Sequence, residues 1–550
     1  MISQKEVFSY EINPQYNTPV AYFSMEFAID QALKIYSGGL GFLAGSHLRS
    51  AYELKQNLIG VGILWKYGYY DQAREANALM KPTFIEKDYA FLQDTGIVFT
   101  VPVHDAPVHV KAYLLKPDTF GSAPLFLLST DIPENDFISR TITHRLYDPN
   151  EATRIAQSII LGTGGAILLD QIGLTPEVYH MNEGHSVSLN FYLHSKFKNL
   201  DEIKKRVVFT THTPEMAGNE EHRYSLLKEM SFFHHLQEHE VKSLLGMDGD
   251  NFNYTLGALK FARKANGVSK LHGEVARDMW SSNAGVCEIT SITNAQNKRY
   301  WKDTVLDEAI ATGDDATIIR RKKEMKRDLF KLVADQTGKL FDENVLTIVW
   351  ARRFAGYKRA DLMMYDWERF LKLLANTEKP VQVIWAGKPY PEDFGAIGLF
   401  NQIISKAKPF ANCAVLTGYE LGLSALLKKG SDVWLNNPRM YREASGTSGM
   451  TAAINGSINL SLPDGWIPEF LRDQENGFVI QPADDNLSQN DKDRQENINL
   501  MDKLENTILP IYYSNQAQWL QILKTAAQEV VPAFESGRMA DEYYNVMYKQ

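Results

Sequence analysis

Cysteine is nearly missing from this sequence: Cys287 and Cys413 are the only two in 550 residues, and both stand in apolar surroundings. Two distant cysteines exclude a disulfide framework and a zinc site, and no metal site is read elsewhere in the chain. Long apolar runs are missing too. None approaches the length a bilayer span requires, and Met1 to Tyr10 has no apolar signal core. Positive charge is not in excess: 58 Lys and Arg against 67 Asp and Glu give a net charge of −9, with a pI near 5.9. That balance argues against nonspecific nucleic-acid binding and still allows a local basic pocket. Repeats and low-complexity tracts are absent. Together these absences point to a cytoplasmic enzyme or binding protein, with neither nucleic acid nor membrane as partner.

The composition that remains, 44% hydrophobic and 23% charged, is that of a globular protein. At this length one hydrophobic core is exceeded, so two domains are expected. Apolar runs at 19–24, 59–65, 178–181 and 207–210 read as buried strands, and each is followed by a polar or glycine-containing loop. Residues 98–130 alternate as antiparallel strands. Arg154 to Leu169 has helical spacing around Gly162-Thr-Gly-Gly165. A second series of strands starts at Leu346 and continues at 381–386, 413–416 and 432–435. Strands alternating with helices predict doubly wound parallel sheets, whose ligands bind beyond the strand C-termini. The charged run Arg320-Arg-Lys-Lys323 reads as a solvated helix face. The polar stretch 484–497 reads as a mobile insertion, and helices are expected to fill 498–550.

Four stretches carry chemistry. Gly38-Gly39-Leu40-Gly41, after the first strand, is a strand-to-helix turn with N–H groups bared at a helix start. Glu183 and His185, and then His212 in Thr211-His-Thr-Pro214, lie in loops past strand ends. Arg352-Arg353 at the end of a buried strand, with Lys358 brought round by Gly356, supplies a fork and a point charge for a phosphate dianion. Surface pairing of these arginines with Asp361 or Glu368 is the plainer alternative. Finally, Val433-Trp434-Leu435 ends a strand at Asn436-Asn437-Pro438, and Glu443 precedes Ser445-Gly446-Thr447-Ser448-Gly449. That small-residue loop runs into a short helix closed by Gly456. The loop suits phosphate and Glu443 suits sugar hydroxyls. An ordinary corner would need neither.

Glu443 to Met450, with Asn455-Gly456 and Asp464-Gly465-Trp466, resembles the active-site segment of the α-glucan (glycogen/maltodextrin) phosphorylase family, in its short bacterial form. Gly38–Gly41, Asn182–His185, Thr211–Pro214, Asn266–His272 and Arg352–Arg359 extend the resemblance over nearly the whole chain. It implies two Rossmann-like domains facing across a cleft, the GT-B glycosyltransferase architecture. The expected bounds are 1–290 for the N-terminal domain, 291–520 for the C-terminal domain and 521–550 for helices returning to the first. The resemblance further implies retaining glucosyl transfer on α-1,4-glucan, from glucan and phosphate to glucose 1-phosphate. In that reading His212, Arg353, Lys358 and Glu443 are catalytic. Gly38, Gly39, Gly41, Glu183, His185, Asn294, Arg352, Ser445, Gly446, Thr447 and Ser448 bind substrate or phosphate. The partners are an α-glucan or another glucosyl acceptor and phosphate, glucose 1-phosphate or a nucleotide sugar, and a homodimer is allowed for.

Two departures bear on this. Thr293-Asn294 is followed by Ala295 where the family continues with glycine. More consequentially, Thr451 stands where the family has the lysine that carries pyridoxal phosphate, and no lysine lies between Arg442 and Trp466. A hydroxyl cannot form an imine, so no covalent cofactor is expected. Glu420, after Tyr419, adds an acid where many relatives place an arginine near the cofactor phosphate. Three readings follow: a phosphorylase-type enzyme without covalent cofactor, a nucleotide-sugar-dependent glycosyltransferase resembling glycogen synthase, or a non-catalytic glucan-binding homologue.

Overall fold

A computed structural model describes residues 4–75 and 77–549. The first three residues of the stretch read for a signal core lie outside them. The chain divides into two compact units. Residues up to 70, 84–297 and 536 onward make the first, and 71–83 with 298–535 make the second.

The first unit is built on a nine-stranded sheet. Its strands are β1 (Val20–Phe23), β2 (Leu58–Ile63), β3 (Gln93–Val103), β4 (Ala106–Leu115), β5 (Leu125–Ser129), β6 (Val178–Asn182), β7 (Val207–Thr210), β8 (Lys264–Gly267) and β9 (Glu288–Ser291). They lie in the order β9-β8-β7-β6-β1-β2-β5-β4-β3. The pairs from β9 through β5 are parallel, and β4 and β3 add an antiparallel hairpin. Strand order therefore reverses between β1 and β6, and that reversal opens a crevice beyond their C-terminal ends. Helix α1 (Gly39–Glu53) follows β1. Its Gly45 lies so close to the backbone of Ala28 that a Cβ would clash.

The helical stretch Glu151–Gln171, α2, corrects the reading that no segment approaches membrane-spanning length. By length and composition it qualifies, with a mean hydropathy of 1.3 over its best window, yet 78% of that window is buried inside the protein. A helix apolar on all sides is a core helix when the protein surrounds it. It crosses the sheet with a π-helical turn, Ile160–Gly164, where Ser188 Oγ accepts from the Thr163 N–H. A Cβ on Gly165 would stand 2.6 Å from the Phe23 ring, so glycine lets helix and sheet approach.

The second unit holds six parallel strands: β10 (Leu346–Ala351), β11 (Val381–Ala386), β12 (Cys413–Leu416), β13 (Val433–Asn436), β14 (Ile458–Ser461) and β15 (Phe478–Val479). Their order is β12-β11-β10-β13-β14-β15, doubly wound with its reversal between β10 and β13. The expected doubly wound class holds for both units.

The structure corrects several expected boundaries. The chain passes between units at Asn297 and Lys298. Residues 71–83, assigned by sequence to the first domain, form a hairpin in the second unit. There Gln72 Nε2 donates to Gly387 O (2.8 Å), and Gln72 Oε1 accepts from the Gly418 and Tyr419 N–H groups. Residues 521–535 also stay with the second unit. The apolar face of the helix Gln516–Phe534 packs Ala526, Val530 and Phe534 on Met450, Ile454 and Trp466. Only from Ser536 does the chain rejoin the first, where Tyr548 Oη meets His180 Nδ1 at 2.7 Å and Gln56 Nε2 donates to Ala540 O.

Two polar segments were also misread. Residues 489–503 form a helix rather than a mobile insertion, because Arg359 pairs with Asp493 and Glu496 and Asn497 donates to Leu362 O. The charged run lies on α3 (Asp315–Thr337), and it is not all solvated. Lys322 is buried and donates to the carbonyls of Lys429, Ser431 and Asn455; burial lowers its pKa to about 8. One turn on, Lys326 Nζ meets Asp432 Oδ2 at 2.5 Å, with both side chains almost fully enclosed. Asp432 Oδ2 also accepts the Thr347 N–H, so the pair ties α3 to the start of β10.

Breaking one side of such a pair leaves a bare buried charge, which costs about 3–5 kcal/mol. Asp432→Ala and Lys326→Met should each lower the second unit's unfolding free energy by that amount, read from urea melts as a lower midpoint at unchanged slope. The double variant should recover most of the loss. An additive double variant would show that the two groups are not coupled.

Candidate active site

In the second unit the reversal between β10 and β13 gathers the expected phosphate residues. Register pairs Val349 with Trp434, so the ends of the two strands deliver Arg352 and Asn436 side by side. The Arg352 guanidinium donates to Asn436 Oδ1 and is 3.6 Å from Glu443 Oε2. Its Nε has no hydrogen-bond partner although it is buried. Lys358 Nζ reaches Glu443 at 3.0 and 3.2 Å. Arg353 is exposed, and its charge is still felt at Glu443. Burial pushes the Glu443 carboxyl up, but Lys358, Arg352 and Arg353 outweigh it and hold the group below its ordinary pKa. Surface pairing of Arg352 is thereby ruled out: it is 6% exposed and faces Glu443. Gly387 permits this approach, since a Cβ there would strike the Arg352 carbonyl and its φ is +149°.

Glu443 needs a rigid loop, and Asp464 supplies it. Asp464 Oδ2 accepts the N–H groups of Arg442 (3.1 Å) and Glu443 (3.0 Å), and Oδ1 accepts that of Gly465. Enclosure, with nearby Glu443 adding to it, pushes the Asp464 pKa up to about 6. Sequence reading placed Asp464 in a motif and gave it no role. Its three-residue spacing from Ser461 at the end of β14 was the available signal. Ser445 is buried, its hydroxyl without a hydrogen-bond partner and its carbonyl accepting the Trp466 N–H. Gly446 takes φ +82°, and Thr447 precedes the helix α4 (Ser448–Ile454). Ser448 Oγ accepts from the Trp434 indole. Past the helix, Gly456 N–H bonds to Ala453 O and Ser457 N–H to Ala452 O, with φ +68° at Gly456. This is a Schellman closure of the kind the sequence signals.

Thr451 lies inside α4, fully buried, and its hydroxyl donates to Ser448 O at 3.0 Å. No amine replaces it in this helix. Glu420 is not a bare charge at the strand edge, since Lys388 Nζ lies 3.1 Å from its carboxylate. The repulsion expected from Glu420 is therefore weakened.

In the first unit the glycine turn, Glu183, His185 and His212 lie past the C-terminal ends of β1, β6 and β7, and Asn294 follows β9. Glu26, after β1, accepts the N–H groups of Ser37 (2.6 Å) and Gly38 (3.1 Å), the Ser37 hydroxyl and the Tyr147 phenol. It thus fixes the glycine turn from behind and leaves the first-turn N–H groups of α1, from Gly39 on, for an outside acceptor. Gly41 is required sterically, as a Cβ would lie 2.7 Å from Glu26 Oε2. Glu183 sits at φ +74°, ψ 168°, a region that costs a side-chain-bearing residue on the order of 1–3 kcal/mol. Its carboxylate is engaged internally: Oε2 accepts the His212 N–H (2.8 Å) and the Thr213 hydroxyl, and Oε1 accepts the Gly184 N–H. Glu183 therefore holds the His212 loop. The His212 ring meets Asn182 Oδ1 at 2.7 Å, and burial lowers its pKa to about 3, so it is neutral. His185 rests its ring 5.7 Å from that of Tyr147. Asn294 is buried, with its N–H on Val268 O and its side-chain oxygen lacking a hydrogen-bond partner. Among the described residues no cluster of His, Cys, Asp and Glu suits a metal ion.

Comparison with known proteins agrees with these motifs. Residues 250–509 match the family model described as carbohydrate phosphorylase. An uncharacterized protein of Methanocaldococcus jannaschii is 46% identical over 533 residues, covering 96% of this chain and all of that protein. The maltodextrin phosphorylase of Thermococcus litoralis is 34% identical, covering 98% of this chain and 71% of that enzyme. The glycogen phosphorylase of Aquifex aeolicus is 30% identical, covering 97% and 87% respectively. With full-length similarity of this degree, and with basic residues, acid and histidine gathered at the sheet reversals, the chain belongs to the carbohydrate phosphorylase family.

Proposed function

We propose that this protein transfers glucosyl groups with retention, taking them from the end of an α-1,4-glucan to phosphate as glucose 1-phosphate. The observation that carries the reading is the Lys358–Glu443 pair with Arg352 and Arg353 around it. Lys358 and Arg352 face the one carboxylate and the charge of Arg353 is felt there, a basic setting that suits a phosphate dianion. Without a ligand, Lys358 and Glu443 neutralise each other. An arriving phosphate takes Lys358 and Arg353 as donors and frees Glu443 oxygens for sugar hydroxyls. Cleavage of the glycosidic bond passes through an oxocarbenium-like state: the hydrogenphosphate dianion gives its proton to the departing glucan oxygen, and one of its oxygens then bonds to the anomeric carbon. The phosphate oxygens stabilise that positive charge electrostatically. His212, neutral at ordinary pH, accepts a hydrogen bond from a glucose hydroxyl.

Covalent pyridoxal phosphate does not fit. Thr451 offers a buried hydroxyl already bonded to Ser448 O, and a hydroxyl forms no imine. The same residue supports a second reading, a cofactor-independent transferase using a nucleotide glucose. A non-catalytic glucan binder is the outcome if neither donor reacts.

Arg353→Ala and Lys358→Ala should each weaken binding of phosphate and glucose 1-phosphate by about 1.5–3 kcal/mol in calorimetry, the worth of one charge-assisted hydrogen bond. Nucleotide glucoses titrated in parallel decide between the two donors. Affinities unchanged for every ligand the wild type binds would remove both residues from the site.

Borohydride treatment with pyridoxal phosphate present, followed by peptide mass spectrometry, should yield no pyridoxyl adduct between Glu443 and Trp466. An adduct in that peptide would overturn the reading of Thr451.

A further inference from the structure

The proton on the His212 ring can be placed by following hydrogen-bond donors through the crevice of the first unit. Parallel register sets Phe23 beside Met181 and Asn182 beside Thr210, so Ser24, Asn182 and the His212 loop are neighbours at the sheet reversal. Ser24 and Asn182 are both buried. The Ser24 hydroxyl has one proton, and it lies 3.1 Å from the Glu26 carbonyl, which can only accept. Ser24 Oγ must therefore act as acceptor toward Asn182, 3.1 Å away. That turns the Asn182 amide nitrogen toward Ser24 and its oxygen toward His212. An amide oxygen only accepts, so the nitrogen facing it at 2.7 Å, His212 Nε2, bears the hydrogen.

We propose that Ser24 and Asn182 are positioning residues that hold His212 in its Nε2–H tautomer, leaving Nδ1 as a lone-pair acceptor for a hydroxyl of the bound sugar. The inference rests on the sugar-binding reading of His212, although the tautomer itself does not. Asn182 and Glu183 act as a clamp. Consecutive residues at the end of β6 grip the His212 ring and the His212 backbone N–H. A ring that slipped to the other tautomer would present a donor to the sugar and lose its bond to Asn182. The sequence shows Ser24 only as a polar residue after an apolar strand and Asn182 only as the first residue of a motif, and neither carries a role there.

The test is long-range proton–nitrogen correlation on protein labelled at the histidine nitrogens. The His212 signals are identified by their absence in His212→Gln. The wild type should show one neutral tautomer, protonated at Nε2. Ser24→Ala frees the amide to turn over and should bring in a second population protonated at Nδ1, and Ser24→Thr, which keeps the hydroxyl, should restore the single form. Asn182→Asp places a carboxylate against the ring and should raise the His212 titration midpoint by at least one pH unit, as an opposite charge within about 4–6 Å does. Protonation at Nδ1 in the wild type would overturn the proposal. So would identical signals in the wild type and Ser24→Ala. Glucosyl transfer is measured on the same variants. If the wild type shows the Nε2–H form and transfers no glucose to phosphate, the positioning stands and the proposed activity fails. If Ser24→Ala shows both tautomers, kcat/KM should fall about tenfold and recover in Ser24→Thr.

Discussion

A buried carboxylate has to be met by donors, and in the second unit much of the strand edge exists to meet the one on Glu443. Lys358 and Arg352 face it directly. Asp464 fixes its backbone from the other side, so that acid is held among cations by a loop anchored to a second acid. Arg359, next to Lys358, has φ +48° and donates to the carbonyls of Asn437 and Pro438, which joins the lysine turn to the loop that leads to Glu443. That buried arginine in turn requires Asp493 and Glu496, and so the helix 489–503 is drawn into the structure. Charge balance at one oxygen pair thus propagates through two loops to a helix more than forty residues away in sequence.

The two units solve related problems with different means. In the second, ion pairs hold the reactive groups, and the charges are the ones a phosphate would displace. In the first, the groups are held by hydrogen bonds from backbone N–H groups and hydroxyls to enclosed acceptors, without a paired cation, and by a strained backbone at Glu183. Such enclosed bonds lose little in salt, whereas exposed cations such as Arg353 are screened. The edge read for the sugar is therefore shaped by the fold itself, and the edge read for the anion is shaped mainly by charge.

Legibility followed physical range. Strands whose whole length is buried, such as 207–210 and 381–386, are visible because burial on both faces forces continuous apolar runs. The Arg352–Arg353 cluster was legible because charge directly after such a strand has few uses besides a ligand. What failed were inferences from charge alone. Lys322 resembles part of a solvated face until the carbonyl ends of two other segments close over it. Glu496 and Asn497 look like a polar linker until Arg359 and Leu362 are seen to need them. Ser24 and Asn182 were invisible as functional residues because their meaning lies in which atom donates, and one-letter sequence does not carry that.

The route of the chain has a consequence for biosynthesis. The hairpin at 71–83 belongs to the unit whose sheet begins at Leu346, and the segment from Ser536 belongs to the unit whose sheet begins at Val20. Neither unit is a continuous stretch of polypeptide. Domains usually fold in turn as they leave the ribosome. Here Gln72 waits for Gly387 and Gly418, and His180 waits for Tyr548. An emerging amino-terminal half therefore has all nine strands of its sheet but lacks the last helices that meet His180, and it carries an unplaced hairpin until the segment from Gly387 to Tyr419 is made. For this chain, translation speed and protection of that hairpin are part of how the fold is reached.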